Sequence, residues 1–416
     1  MIQKITSIPI FIIKFLLKII KSGLNERNLF TFPLNFFINF LPISIWLTIF
    51  KNAGILPNEI RPKIYVSLIY NLDLQIFKPT FINIFIWCLI TLGFTYLWYL
   101  IIQKKSFHYN LNINTNSILP KIPDEEEQSY EFENFQDSDE PSTSSSSTDS
   151  LPNFHSSSLS ISPKKITRFH SLYLTPIIFF SVWPMLNIVE HFAQHITVPK
   201  DLTAWFFYVL GHITFPILTA VYLYVFHPPG ILKCFSIALG LQNIAGVLTH
   251  LLFPNAPPWF IHLYGPDSDA NYDMPGYAAG LTRIDVTLGT HLHSQGFHKS
   301  PIVFGAFPSL HSAMAVQVFL FIWYFANFKI LRIAALGFVY IQWWGTIYLD
   351  HHFKIDLIAG WGYALISFAI VYPYLRKKEL EFIQNRLNLN FKKGSTMGMR
   401  VFDRNSKIQK FFDPYR

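Results

Sequence analysis

Residues 305–360 read GAFPSLHSAMAVQVFLFIWYFANFKILRIAALGFVYIQWWGTIYLDHHFKIDLIAG. Apolar runs near 309–327, 330–349 and 355–375 are each close to the length that spans hydrocarbon, about 20 residues in a helix. Two polar marks punctuate them: Pro308-Ser309-Leu310-His311-Ser312, and His351-His352-Phe353-Lys354-Ile355-Asp356. Ionisable groups are costly beside hydrocarbon, so two histidines and a carboxylate at helix ends predict a functional site. One helical hairpin separates the marks, which returns them to the same face of the membrane.

The rest of the chain agrees with that reading. Its 416 residues are 51% hydrophobic, 17% aromatic and 14% charged, against roughly 25% charged for soluble domains. Further charge-poor runs fall near 32–50, 81–102, 171–191, 204–226 and 231–252, making eight expected spans. No strand alternation of the barrel type is visible, so the expected class is an all-α integral membrane protein built as a helical bundle. No nucleic-acid partner is expected. Cys88 and Cys234 fall inside expected spans, too sparse for a disulfide framework or zinc site.

Residues 1–30 differ from these runs. Lys14, Lys18 and Lys21 share one helical face, with Ile12, Ile13, Leu16, Leu17, Ile19 and Ile20 around the remainder. That pattern predicts an amphipathic helix lying on an anionic membrane surface, ahead of the first two spans (31–103). Residues 104–169 combine an acidic run, Asp124 to Asp149, with the serines of 142–147, the composition of a disordered linker. The segment 376–416 carries eleven Lys and Arg against four Asp and Glu, which predicts a basic cytosolic tail. Eight spans then put both termini in the cytosol. The 253–308 and 350–354 connections, and with them His311 and His352, face the lumen within a catalytic region of 170–375.

His352 and Asp356 are four residues apart, so they share a helix face. A carboxylate there is expected to accept the Nδ1 proton, fixing the tautomer that leaves Nε2 free to attack phosphorus. His311 is the expected general acid and base, protonating the leaving alcohol and later deprotonating an acceptor hydroxyl. His351 points about 100° away from His352. Ser309 and Ser312 are read as phosphate ligands or as caps of the sixth span, two roles that can coexist. Arg283 leads the candidates for phosphate binding, followed by Lys299, Lys354 and His298, although Arg283 has an alternative partner in Asp285. His191 and His195 are four apart beside Glu190, but lack a third imidazole nearby, so no metal site is expected.

The P-S-x-H-S and H-x-x-x-D pair resembles the PAP2 superfamily, and the resemblance implies nucleophile, helper and acid/base roles for His352, Asp356 and His311. Two of that family's phosphate-binding features are missing: Thr346 stands where an Arg is usual, and Arg61-Pro62 has Gly54 where a Lys belongs. Segments 305–315 and 348–360 are similar to fungal inositol phosphorylceramide synthases. S-G-L-N-E-R-N-L-F (22–30), V-F-H-P-P-G (225–230), A-L-G-L-Q-N-I-A-G-V (238–247), G-M-R-V-F (398–402) and F-F-D-P (411–414) resemble the fungal inositolphosphotransferases that make mannosyl-diinositolphosphoryl-ceramide. That resemblance implies phosphatidylinositol as donor, mannosyl-inositolphosphoryl-ceramide as acceptor, a Golgi membrane location and no cofactor or metal. Ceramide as acceptor is the alternative; a lipid phosphate phosphatase or a non-catalytic scaffold fits the motifs less well. Acyl-chain preference, oligomeric state and any small membrane subunit are not legible in the sequence.

Overall fold

The computed structural model describes residues 2–25, 27–109, 175–403 and 405–415. Among these, ordered secondary structure is helical, with isolated parallel bridges joining Tyr65 to Asn255 and Asn255 to Gly305. An N-terminal helix α1 (Ile2–Leu24) precedes α2 (Thr31–Asn52), a short α3 (Ser67–Phe77) and α4 (Phe81–Tyr109). The linker expected at 104–169 lies outside the described residues from 110 onward, and α4 continues through its first positions to Tyr109. Residues 86–151 form a separate unit, whose described part is the body of α4.

The remaining long helices are α5 (Thr175–Ala193), α6 (Val198–Phe226), α7 (Ile231–Leu252), α11 (Leu310–Phe325), α12 (Lys329–Tyr348) and α13 (Lys354–Leu387). Between α7 and α11 run three short helices, α8 (Pro258–Tyr264), α9 (Leu281–Leu288) and α10 (Leu292–His298); two more, α14 (Met397–Val401) and α15 (Ser406–Phe411), follow α13. Among the described residues, seven helices are long and apolar enough to span a membrane, and α11 is a shorter apolar one. Each of the eight expected spans therefore has its helix. The protein is a multi-pass membrane protein.

Packing explains which helices sit inside. α7 lies against α2 and α13, and α11 against α12 and α13. A Cβ on Gly240 would stand 2.2 Å from the Pro42 Cβ, so α2 and α7 meet because that position has no side chain. Ser236 strengthens the same contact, its hydroxyl donating to the Asn39 carbonyl at 2.7 Å. Between α11 and α13, Ser367 Oγ donates to Gln317 Oε1 at 3.0 Å. α2 buries none of its side chains, and Phe37, Ile38 and Leu41 are more than half exposed. Apolar surface of that extent matches hydrocarbon and not water.

The 253–308 segment is folded. Tyr65 N–H donates to the Pro254 carbonyl (2.9 Å), Ala256 N–H to the Tyr65 carbonyl (3.0 Å) and Asn255 N–H to the Phe304 carbonyl (2.9 Å). Around that seam Ile64, Trp259, Phe260, Ile261 and Phe304 form an aromatic core, with Tyr70 and Phe353 against it. The segment is thus fastened to the stretch after α2 and to the residues that open α13.

The segment after α13's apolar part is also folded. α13 continues twelve residues beyond the expected end at 375. Arg386 is buried, paired to Asp413 at 2.8 Å, and Arg400 donates to the Ser22 carbonyl at 3.0 Å. Lys18 pairs with Asp403, and Phe15 and Phe402 have ring centroids 6.0 Å apart. These contacts join α1 to the segment that follows α13.

Candidate active site

Gly360 is the reason the two motifs touch. A Cβ there would lie 2.2 Å from the Ser309 carbonyl oxygen and 3.0 Å from the Ser312 Cβ, so α13 approaches the first turn of α11 only because Gly360 is bare. The Ser309 N–H then donates to the Asp356 carbonyl at 3.0 Å. This junction places the His311 and His352 rings 6.0 Å apart, centroid to centroid.

His352 is buried in the turn between α12 and α13. Its Nδ1 lies 3.0 Å from the Ala306 carbonyl and 3.5 Å from Asp356 Oδ2. A carbonyl can only accept, so Nδ1 carries the proton and Nε2 holds the free lone pair. The tautomer is the expected one, but Ala306 is its direct partner. At 3.5 Å, Asp356 is a neighbour and not the primary acceptor. Its Oδ2 accepts the Phe353 N–H at 2.8 Å, a local bond at the start of its own helix. Asp356 Oδ1 is buried without a hydrogen-bond partner. Burial pushes the His352 imidazole down to about 4, against the opposing pull of the Ala306 carbonyl.

His311 occupies the first turn of α11, held by aromatic neighbours. Tyr208 stacks on it at 4.0 Å and 15°, and the His212 ring lies 4.3 Å away. Both come from one stretch of α6, where Phe206–Gly211 takes π-helical form, an extra residue per turn that is frequent at functional sites. The Nδ1 atoms of His311 and His212 are buried and unpartnered. His250 Nε2 lies 2.9 Å from the Pro308 carbonyl, supporting the residue that leads into Ser309. The sequence reading missed Tyr208, His212 and His250. Two intramembrane histidines were a signal by composition alone, but their convergence on His311 is a tertiary contact.

Several expected ligands have other work. Ser309 is fully buried and caps α11, its hydroxyl accepting the Ser312 N–H at 3.3 Å. Ser312 donates to the Leu357 carbonyl (2.6 Å) and accepts from the Trp343 indole (2.8 Å). Of the two readings of these serines, the geometry supports the structural one. Arg283 pairs with Asp201 and not with Asp285: both Nε and Nη2 lie 2.8 Å from Asp201 Oδ1, and the guanidinium sits 5.3 Å from the Tyr348 ring. Asp285 instead closes the α9–α10 corner, accepting from Thr290, His293 and Ser294. Burial alone would raise that carboxyl, but the bonds from Ser294 and His293 hold it well below the usual range. Lys354 is buried, 2.6 Å from Glu190 and 3.7 Å from Asp73, an ammonium already neutralised. His298 and Lys299 are exposed at the end of α10. His351 is buried with Nε2 3.2 Å from the Ala278 carbonyl, and burial, then the neighbouring His352, lowers it to about 3.

Nε2 of His352 can attack a phosphorus, and a phosphoryl group at the near-attack distance of about 3 Å lies within reach of His311. Comparison with known proteins agrees with this chemistry. A PAP2 superfamily model matches residues 177–370, enclosing all three catalytic candidates together with Tyr208, His212 and His250. Inositolphosphotransferase 1 of Saccharomyces cerevisiae is 32% identical, with 96% of this chain and 98% of that protein aligned. The chain belongs to the PAP2-type inositolphosphotransferases. Other relatives match about half of the chain. Inositol phosphorylceramide synthase of Candida albicans is 40% identical over 46% of this chain and 41% of its own length. The catalytic subunit of the corresponding Saccharomyces cerevisiae synthase is 42% identical over 48% of each. No solved structure matches the chain. The fold and enzyme class expected from the two histidine motifs are those of this family, whose members act on lipids.

Proposed function

We propose that the protein moves inositol phosphate from phosphatidylinositol to a hydroxyl of mannosyl-inositolphosphoryl-ceramide, releasing diacylglycerol. The observation that carries the reading is the paired site: a buried His352 with Nε2 bare, 6.0 Å from His311, in a chain aligned almost end to end with Inositolphosphotransferase 1. His352 Nε2 attacks the donor phosphorus, the phosphorus–oxygen bond to diacylglycerol breaks, and His311 gives that oxygen its proton. His311 then takes the proton of the acceptor hydroxyl, whose oxygen displaces His352. Asp356 offsets the imidazolium charge as it develops. Product formation requires that the phosphohistidine meet the acceptor before water, and the folded 253–308 cover supports that requirement.

A cavity of about 300 Å³ supports a lipid substrate beside the site. Leu251, Ile302 and Phe304 give it apolar walls, and Arg61 and His250 are among its polar lining. The excess of Lys and Arg after α13 supports cytosolic termini and a lumenal active site in a Golgi membrane. The surface lysines of α1 support its lying on the cytosolic leaflet. The testing experiment is a transfer assay on purified protein with inositol-labelled phosphatidylinositol and either acceptor. Product from the mannosylated lipid alone is expected; product from ceramide would place the enzyme with the synthases instead.

A further inference from the structure

The opening of α13 is held by residues from two other elements. Asp73, in α3, is 5% exposed and its Oδ1 accepts the Ile355 N–H at 2.9 Å. Ile355 follows His352 by three residues and immediately precedes Asp356. At the same place Lys354 Nζ stands 3.7 Å from Asp73 Oδ2, 2.6 Å from Glu190 Oε2 at the end of α5, and 5.1 Å from the Phe77 ring. Tyr70, one turn before Asp73, packs its ring 5.9 Å from that of Phe353. α3 lies outside the 177–370 stretch that matches the superfamily model.

A helix start leaves its first amide N–H groups unpaired, and a carboxylate beside them is favourable both as acceptor and through the helix dipole. α13 has two such acceptors: Asp356 takes the Phe353 N–H and Asp73 takes the Ile355 N–H. The first is internal to the helix. The second ties the helix to a separate element. We propose that Asp73 is a positioning residue of the transferase, fixing the turn that carries His352 and Asp356, with Lys354 and Glu190 completing the clamp. The inference rests on the assignment of His352 as nucleophile. Its physical content is that a small displacement of a reacting atom lowers the rate while leaving lipid binding in place.

The charged groups facing Asp73 are Lys354, Glu190 and Asp356. Burial raises its carboxyl to about 6, with Lys354 and the Ile355 N–H pulling the other way. A neutral carboxyl or an amide still presents an oxygen to Ile355, so acceptance of that bond is separable from charge.

The test compares D73N, which keeps the acceptor oxygen, with D73A, which removes it. D73A is expected to lower kcat about 10- to 100-fold with KM for both lipids unchanged, and D73N to restore kcat to within about threefold of the parent. Hydrogen exchange of the 351–357 peptide is measured alongside, with protection of Ile355 expected in the parent and D73N and lost in D73A. This second reading is independent of which lipid is turned over, so an inactive parent protein would defeat the proposed function without touching the clamp. Parent-like kcat or parent-like protection in D73A would overturn the inference. So would a D73N kcat as low as that of D73A; if D73A does not accumulate, the D73N result decides alone.

Discussion

At the residue scale, His352, the proposed nucleophile, is buried with its Nδ1 against a backbone carbonyl. The sequence placed a carboxylate one helical turn away, and the structure sets the two side chains 3.5 Å apart. The sequence could not show that Ala306, forty-six positions earlier in the chain, would take the Nδ1 proton at 3.0 Å while Asp356 stood at 3.5 Å. The consequence for pH follows from sign. A nucleophilic imidazole works when neutral, that is, above its own pKa, and burial moves that value from 6.5 down to about 4. The acid limb of kcat/KM that belongs to the free enzyme's nucleophile is therefore expected well below pH 6. A limb controlled by His352 near 6.5 would show that the imidazole is solvated.

Arg283 was the expected phosphate ligand because arginines suit phosphate. The structure gives it to Asp201, joining α9 to the start of α6. If that is its main role, R283Q and D201N should each lower thermal stability, and the double variant should show a coupling of about 0.5–3 kcal/mol. A raised KM for phosphatidylinositol in R283Q, with stability unchanged and no coupling, would return it to the substrate.

At the element scale, the spans were legible because hydropathy reports where hydrocarbon lies. It does not report where a helix stops. α13 leaves the apolar range at Arg376 and remains helical to Leu387, since charged residues are good helix formers in water. For the same reason α3, eleven residues long, gave no span signal, although it buries Ile69, Asp73 and Phe77. The π-helical turn of α6 was equally silent: its effect is to rotate Tyr208 and His212 onto His311, and that depends on α11 being alongside. Gly360, by contrast, was visible in the quoted motif without its reason. The reason is the 2.2 Å approach of the Ser309 carbonyl to where its Cβ would stand. G360V should therefore separate α11 from α13, reducing transfer at least about 100-fold together with a loss of thermal stability. An active, stable G360V would mean the helices do not meet as described.

At the scale of the whole molecule, one bundle brings together what lies far apart in the chain. α3 and α5 hold the start of α13, α6 flanks His311, and the 253–308 segment packs over the turn between them. On the other side, α14 and the turn after it dock against α1 through Lys18–Asp403 and Arg400, so the tail read as a basic extension is a folded element. Composition gave its charge, but the buried Arg386–Asp413 pair required the fold. The central claim is that transfer passes through His352, with His311 moving the protons. Purified protein incubated with inositol- and phosphate-labelled phosphatidylinositol, without acceptor, then quenched in alkali and mapped by mass spectrometry, tests it most directly. Inositol phosphate bound to His352, absent in H352A and discharged by added acceptor only when His311 is present, is the predicted result. Transfer by H352A, or label on a different residue, would contradict the account.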